Sequence, residues 1–288
     1  MRRNTLLWLS WFLATLWFVS FGWTTLAAET HSGIAAAGIA FLTLIILVAV
    51  HASLVVGWRS ALAFFSIMCL TSFALESISI ATGFPFGFFV HHTDIGPKPF
   101  GVPFVVPVGY AVFGWLAWAQ TRLIVSAFSN DTNLTRFATP LLGAFVLAGY
   151  DYPYDPIGAT VLKIHSYLEP TGLFGVPLSN FLGWHVTGWV AFQFFAFFQV
   201  RFITVAEPKR KGLDVLPSLI WIVMAGSYWV RYCIAPGGIV TEDGRTFVIT
   251  DIYEAAAAIS LPSMVFPALL ALVAFRARSR CQSAPDFD

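Results

Sequence analysis

The sequence predicts an all-α fold: a polytopic transmembrane bundle of about eight helices, forming one integral membrane domain over residues 1–288. Three observations carry this reading: scarce charge, long apolar runs at regular intervals, and a lopsided distribution of Lys and Arg. Only 11% of the residues are charged against 58% hydrophobic, with a mean hydropathy of +0.76. A water-facing surface for a chain of this length needs far more charge.

The apolar runs fall at residues 5–27, 33–57, 60–82, 101–127, 136–151, 177–200, 213–235 and 252–275. Most reach the roughly 20 residues that a helix needs to cross a hydrocarbon core. The first ends in Leu26-Ala27-Ala28, as a cleavable signal does, but it is too long and too rich in Trp, so a retained helix is expected. The fifth is short and is expected to break at Tyr150-Asp151-Tyr152-Pro153. Asp251 and Glu254 stand at capping-box spacing and are expected to open the last helix.

An even number of spans puts both termini on one side. That side holds Arg2, Arg3, Arg59, Arg122, Arg136, Arg201, Lys209, Arg210, Lys211, Arg276, Arg278 and Arg280, against Lys98, Lys163, Arg231 and Arg245 on the other. The positive-inside rule makes both termini cytoplasmic, in a bacterial inner membrane.

Other classes are disfavoured. Cys69, Cys233 and Cys281 make no disulfide framework, and a net charge of +1 gives no reason to expect nucleic acid. There is no phosphate-cradling Gly loop, no dinucleotide fingerprint and no Cys/His metal spacing, so no cofactor is expected. The 29 Phe and 11 Trp exceed what an interfacial belt absorbs and leave rings to line a pocket.

A parallel internal repeat relates spans 3–4 to spans 5–6. Phe100-Gly101-Val102-Pro103 recurs as Phe174-Gly175-Val176-Pro177, 74 residues on, and the same offset matches His91 to His165 and Gly114-Trp115 to Gly188-Trp189. Each unit has a helix ending near an acid, an outer loop with a His, and a Pro opening the next helix, where its missing N–H costs nothing. Repeat interfaces often hold the ligand in membrane proteins.

The candidate site residues follow this pattern. Glu76 lies inside the third span, roughly 9 Å from its outer end at 1.5 Å per residue. A carboxylate at that depth is costly and reads as functional, the bland alternative being helix glue through Arg231. Asp151 and Asp155 flank the Tyr152-Pro153-Tyr154 break, and Asp155 before Pro156 also suits an N-cap. His31, His91, His92, His165 and His185 gather on the outer side; hydrogen bonding is the ordinary role there, zinc the less expected one. Asn180 and His185 occupy the first turns of span six beside Phe181 and Trp184, and such an Asn needs a partner: a helix, a substrate hydroxyl or water. Trp115 and Trp189 serve equally as packing residues or pocket walls.

At these residues the chain resembles the integral membrane carotenoid-biosynthesis proteins, which include carotenoid 1,2-hydratases. One block is Glu76, Thr82-Gly83-Phe84-Pro85-Phe86-Gly87, Thr93-Asp94-Ile95-Gly96-Pro97-Lys98 and Gly101-Val102-Pro103. The other is Asp151, Asp155-Pro156, Gly175-Val176-Pro177, Asn180-Phe181 and Gly183-Trp184. The likeness covers residues 70–190 in detail and the rest in hydropathy. The chain departs from the pattern at His165-Ser166-Tyr167, where a Trp-rich element is expected.

The resemblance implies water addition across a terminal C=C bond of a linear carotenoid or related long-chain isoprenoid reaching the site from membrane lipid. Such chemistry needs a buried carboxylic acid, aromatic faces for the tertiary cation, and a group that orients water. Glu76 is expected as acid and Asp151 or Asp155 as base, the reverse remaining open. Asn180, His92, Asp94, His165 and Arg231 are expected to contact substrate or water, and Tyr150, Tyr152 and Trp184 to shield the cation. Two alternatives stand beside hydration: a membrane isoprenoid cyclase using the same protonation, and a lipid or isoprenoid transporter or binding protein. Acids gathered near one face, with no ladder across the bilayer, weigh against transport.

Overall fold

Helices dominate this computed structural model, which describes residues 3–28, 30–92, 96–128, 132–202 and 212–281. In chain order they are α1 (Arg3–Leu26), α2 (His31–Val56), α3 (Trp58–Thr82), α4 (Val105–Phe128), α5 (Thr132–Asp155), α6 (Leu178–Phe202), α7 (Leu216–Cys233), α8 (Ile249–Ser260) and α9 (Phe266–Cys281). A π-helical turn, Leu261–Val265, joins α8 to α9 without a break. Six segments are long and apolar enough to cross a membrane: Thr5–Leu26, His31–Val56, Trp58–Thr82, Val105–Phe128, Leu178–Gln199 and Ile249–Arg278. Large apolar side chains, among them Trp8, Leu42, Leu70, Phe194 and Val273, stand on their open faces. In water such faces would drive aggregation; against lipid tails they lose nothing.

The α4 helix is central, packing against α2, α3, α5, α7 and α9. Around it, Phe64 meets Trp115 and Phe195 edge-on, with ring centroids 5.1 and 4.9 Å apart. Near the same level His51 is wedged in the core, accepting from Trp115 Nε1 (2.9 Å), with its Nε2 3.0 Å from the Leu213 carbonyl. Trp115 is thus a packing residue, and its counterpart Trp189 is exposed.

Sequence expectation and structure part company at α5. The helix does not break at Tyr152-Pro153 but runs through Pro140 and Pro153 to Asp155, then into a π-helical turn, Pro156–Val161. Proline removes one N–H from the ladder, and the wider turn that follows, closed by Leu162 N–H on the Ile157 carbonyl (2.9 Å), takes up the irregularity. Asp155 is therefore helical, makes no capping bond, and keeps its carboxylate free for other donors.

Two short antiparallel strands cross the loops at this end of the bundle. β1 (Phe89–His91) pairs with β2 (His165–Tyr167) in the register Phe89↔Tyr167, Val90↔Ser166, His91↔His165. His92 N–H to the Ile164 carbonyl extends the ladder by one bond. Beyond the strands, Phe100 and Phe174 both take left-handed φ (52° and 49°), each followed by a left-handed glycine, Gly101 (83°) and Gly175 (94°). Each such phenylalanine costs about 1–3 kcal/mol, so the surrounding structure must hold it. The Pro103 carbonyl then receives Val106 N–H and the Pro177 carbonyl receives Asn180 N–H (3.0 and 3.1 Å), starting α4 and α6.

A hairpin, β3 (Ile239–Glu242) and β4 (Arg245–Val248), went unread in the sequence, although Asp243-Gly244 between β-branched residues is a two-residue turn signal. Both turn residues take positive φ (46° and 72°). Glu242 pairs with Lys163 and Arg245 Nη2 reaches the Pro170 carbonyl (3.0 Å), tying the hairpin over the 163–175 loop. Because β4 runs straight into α8, Val248 precedes the helix and the Asp251/Glu254 capping box does not form.

Candidate active site

Asp151 and Asp155 stand one turn apart on α5, hence on one face. That face meets the first turn of α6, where Asn180 Nδ2 donates to Asp151 Oδ2 (2.8 Å) and Asp155 Oδ2 (2.6 Å). All three side chains are buried. Gly183, one turn on, lets the Phe86 ring pack against α6, since a Cβ there would lie 2.3 Å from that ring. Phe86 is held by its N–H on Ser79 Oγ (3.0 Å) and by Ser179 Oγ on its carbonyl (3.1 Å).

The strand pair supplies the rest of the polar shell. Tyr167 donates its hydroxyl to Asp155 Oδ2 (2.7 Å), and His165 Nε2 lies 3.5 Å from Asp155 Oδ1. Burial pushes the His165 imidazole down, but the Asp155 carboxylate beside it outweighs burial and holds it above its ordinary value. Across the ladder His91 Nε2 lies 3.1 Å from Glu76 Oε2, and the two imidazole centroids are 6.2 Å apart. Glu76 and Asp155 thus sit at the two ends of one chain of groups, Glu76–His91–His165–Asp155.

Partners are unevenly shared. Asp155 gathers donors from three directions, whereas Asp151 Oδ1 is buried with no hydrogen-bond partner. The Tyr110 hydroxyl is likewise buried without a partner at hydrogen-bonding geometry, within electrostatic reach of Glu76, Asp151 and Asp155. Buried orphans of this kind call for water or a ligand group. Beside them lies a wall of rings. Tyr110 stacks on Trp184 (4.2 Å), Tyr150 on Phe113 (4.2 Å), and Tyr150 approaches Tyr154, Trp184 and Trp221 at 5.3, 6.4 and 6.1 Å. A cavity of about 550 Å³ opens at the bundle end, lined by Thr82, Phe84, Gly87, Glu169, Leu178 and Ser179. None of Glu76, Asp151, Asp155 and Asn180 lines this cavity.

The structure therefore brings together Glu76, Asp151, Asp155, Asn180 and His165, with Tyr150 and Trp184 at the wall. Others fall elsewhere. Tyr152 turns to the far side of α5, stacking on Phe181 (4.6 Å) and meeting His185 edge-on. His92 alternates away from His91, is exposed, and lies 2.7 Å from Ser166 Oγ. Arg231 is not the partner of Glu76; His91 takes that place, and Arg231 interacts with Tyr154 and Tyr228. Asp94 lies outside the described residues. Tyr110, His91 and Tyr167 join the site without having been singled out for it. The repeat offset was the signal for His91, because it equates His165 with His91 and not with His92. Among the described residues no three His, Cys, Asp or Glu side chains are grouped to hold a metal ion.

The bisanhydrobacterioruberin hydratase of Haloarcula japonica is 32% identical over 134 residues, which are 45% of this chain and 43% of that protein. The match spans less than half of that relative's length. No solved structure matches the chain. A family model described as carotenoid biosynthesis protein matches residues 36–239, a stretch that contains every site residue from Glu76 to Asn180. The chain is an integral membrane protein of the carotenoid biosynthesis protein family.

Proposed function

We propose that this protein hydrates the terminal carbon–carbon double bond of a linear carotenoid. The observation that carries the reading is the Asp151–Asn180–Asp155 cluster, with one buried carboxyl oxygen left unpartnered beside an aromatic wall. Two negative charges this close in a buried place repel strongly, so the pair holds one proton between them. Asp155, with Tyr167, Asn180 and His165 around it, is the carboxylate; Asp151 carries the proton. Asp151 delivers it to the alkene CH carbon, and the tertiary cation forms against the faces of Tyr150, Trp184 and Tyr110. Water held by Glu76 adds to the cationic carbon and gives its second proton to that carboxylate. The partner geometry thus favours Asp151 as acid and Glu76 as base, the reverse of the first assignment from sequence. The hydratase named among the relatives supports the reaction type.

The finer topology belongs to the same reading. α5 and α7, at 24 and 18 residues, are taken as further spans, giving eight with both termini cytoplasmic. At 1.5 Å per residue they measure roughly 36 and 27 Å, and a typical hydrocarbon core is about 30 Å thick. The paired strands, with His91 opposite His165, and the matching Phe-Gly conformations support a repeat whose two outer loops meet at the site.

Expression in cells that make lycopene or bisanhydrobacterioruberin, with pigment masses measured, tests the function. New pigments heavier by one or two waters are expected. Isomers of unchanged mass would point instead to cyclisation, and unchanged pigments would refute activity on these substrates.

A further inference from the structure

Hydration consumes a proton at one place and releases one at another. On the reading above, Asp151 gives its proton to carbon while Glu76 collects one from water. The cluster cannot fire twice until that proton returns. Bulk water offers no direct route, since Glu76, Asp151 and Asp155 are all buried. The strand pair lies between them. His91 Nε2 is 3.1 Å from Glu76 and His165 Nε2 is 3.5 Å from Asp155, with side chains only 9% and 10% exposed. The rings are held directly opposite each other by the β1–β2 register, 6.2 Å between centroids. One bridging water would span that gap. At the far end Asp155 and Asp151 share the Asn180 amide.

We propose that His91 and His165 form a relay that returns the proton from Glu76 to the Asp155–Asp151 pair after each turnover. The proposal rests on the hydratase reading. Glu76 passes its proton to His91 Nε2, and the resulting imidazolium releases the proton on its other nitrogen toward His165. His165, accepting on Nδ1, releases from Nε2 to Asp155, which restores the shared proton to Asp151. Each ring gains one proton and loses one, so the proton count is restored; each ring is left in its other tautomer and returns to the starting one by ring rotation before the next transfer. Neither imidazole need touch the substrate. An antiparallel pair of repeat-related strands gives this route its symmetry, because the same loop position of each unit supplies one ring.

A relay that resets the site is dispensable for the first turnover and needed for every later one. Purified full-length protein, wild type and His91→Gln, is mixed with excess lycopene or bisanhydrobacterioruberin in detergent micelles, and product is followed over time. In the variant a burst near one product per enzyme is expected, slowed only by the loss of the Glu76 partner, while the steady rate falls much further, by about 10²-fold relative to the burst, the scale of a lost proton-transfer group. His91→Ala should behave alike, with its steady rate recovering when imidazole is added. Burst and steady rate falling together, without recovery in imidazole, would assign His91 a structural role and overturn the relay. An unchanged steady rate in both variants overturns it too. Wild-type protein that gives no hydrated product removes the hydratase reading itself, and the relay with it, an outcome separate from the other two.

Discussion

The two strand histidines face each other, but the acids they serve are supported very differently. Glu76 has His91 and the nearby Tyr110 hydroxyl; Asp155 has Tyr167, Asn180, His165 and a second carboxyl one turn away. A thinly supported carboxylate can change partners during a reaction, as a group that collects a proton must. A densely supported one is fixed in place, as a group that stabilises a neighbour's charge state must be. Similar loop and strand conformations therefore frame two carboxylates in unlike polar surroundings, and the difference lies in what α5 and α6 add: Asp151 and Asn180.

The largest effect is expected at the member without a counterpart on the Glu76 side. Asp151→Asn keeps the shape and the Asn180 contact but has no proton for carbon. It should lower product per folded protein by about 10⁴-fold, the upper end for general acid catalysis. Glu76→Gln comes next, with a loss of about 10²–10³-fold, because water attacks a tertiary cation readily once it exists. If Glu76→Gln proves the more damaging of the two, the roles of the two regions are reversed and Glu76 is the acid.

Much of this architecture is legible in the sequence, for separable reasons. Apolar runs mark the helices because a span must be apolar along its whole length. Phe174-Gly175-Val176-Pro177 repeats Phe100-Gly101-Val102-Pro103 visibly because left-handed φ and a helix-opening proline restrict residue choice. The end of α5 was misjudged because Pro153 signals a break locally, whereas packing keeps the helix intact to Asp155. Arg231 was offered to Glu76 by charge alone, and charge says nothing of which helices adjoin. His91 and Tyr167 were not assigned to the site because strand alternation, which turns His91 inward and His92 outward, is hard to see in a three-residue strand.

Smaller perturbations sharpen the comparison. Tyr167→Phe removes one donor from Asp155 and nothing from Glu76. A hydrogen bond to a charged group contributes about 1.5–3 kcal/mol, so activity should drop about tenfold or more while the protein still folds. No change in rate would mean that Asp155 does not need its dense shell. The smallest effect concerns pH. His165 stands above its ordinary value because the Asp155 carboxylate, aided by Glu76, outweighs burial. A raised imidazole contributes stability that is complete below its unfolded value of about 6.5 and is lost as pH rises through the folded value. The melting temperature of the wild type should therefore fall modestly from about pH 6 to pH 9, and His165→Gln should flatten that slope. The neighbouring His91 ring, when protonated, opposes His165 and makes the wild-type slope shallower than an isolated pair would give. Equal slopes in both proteins would remove the His165–Asp155 pair from the account.

The central claim is that a proton goes to carbon and a water follows it. Turnover of lycopene or bisanhydrobacterioruberin by the purified protein in D₂O reads both events in one product. Each added hydroxyl should be accompanied by one carbon-bound deuterium on the adjacent carbon, which persists when the product is returned to ordinary water, and Asp151→Asn should form neither. Deuterated carbon in a product of unchanged water content, or hydroxyl gained without carbon-bound deuterium, would contradict the claim.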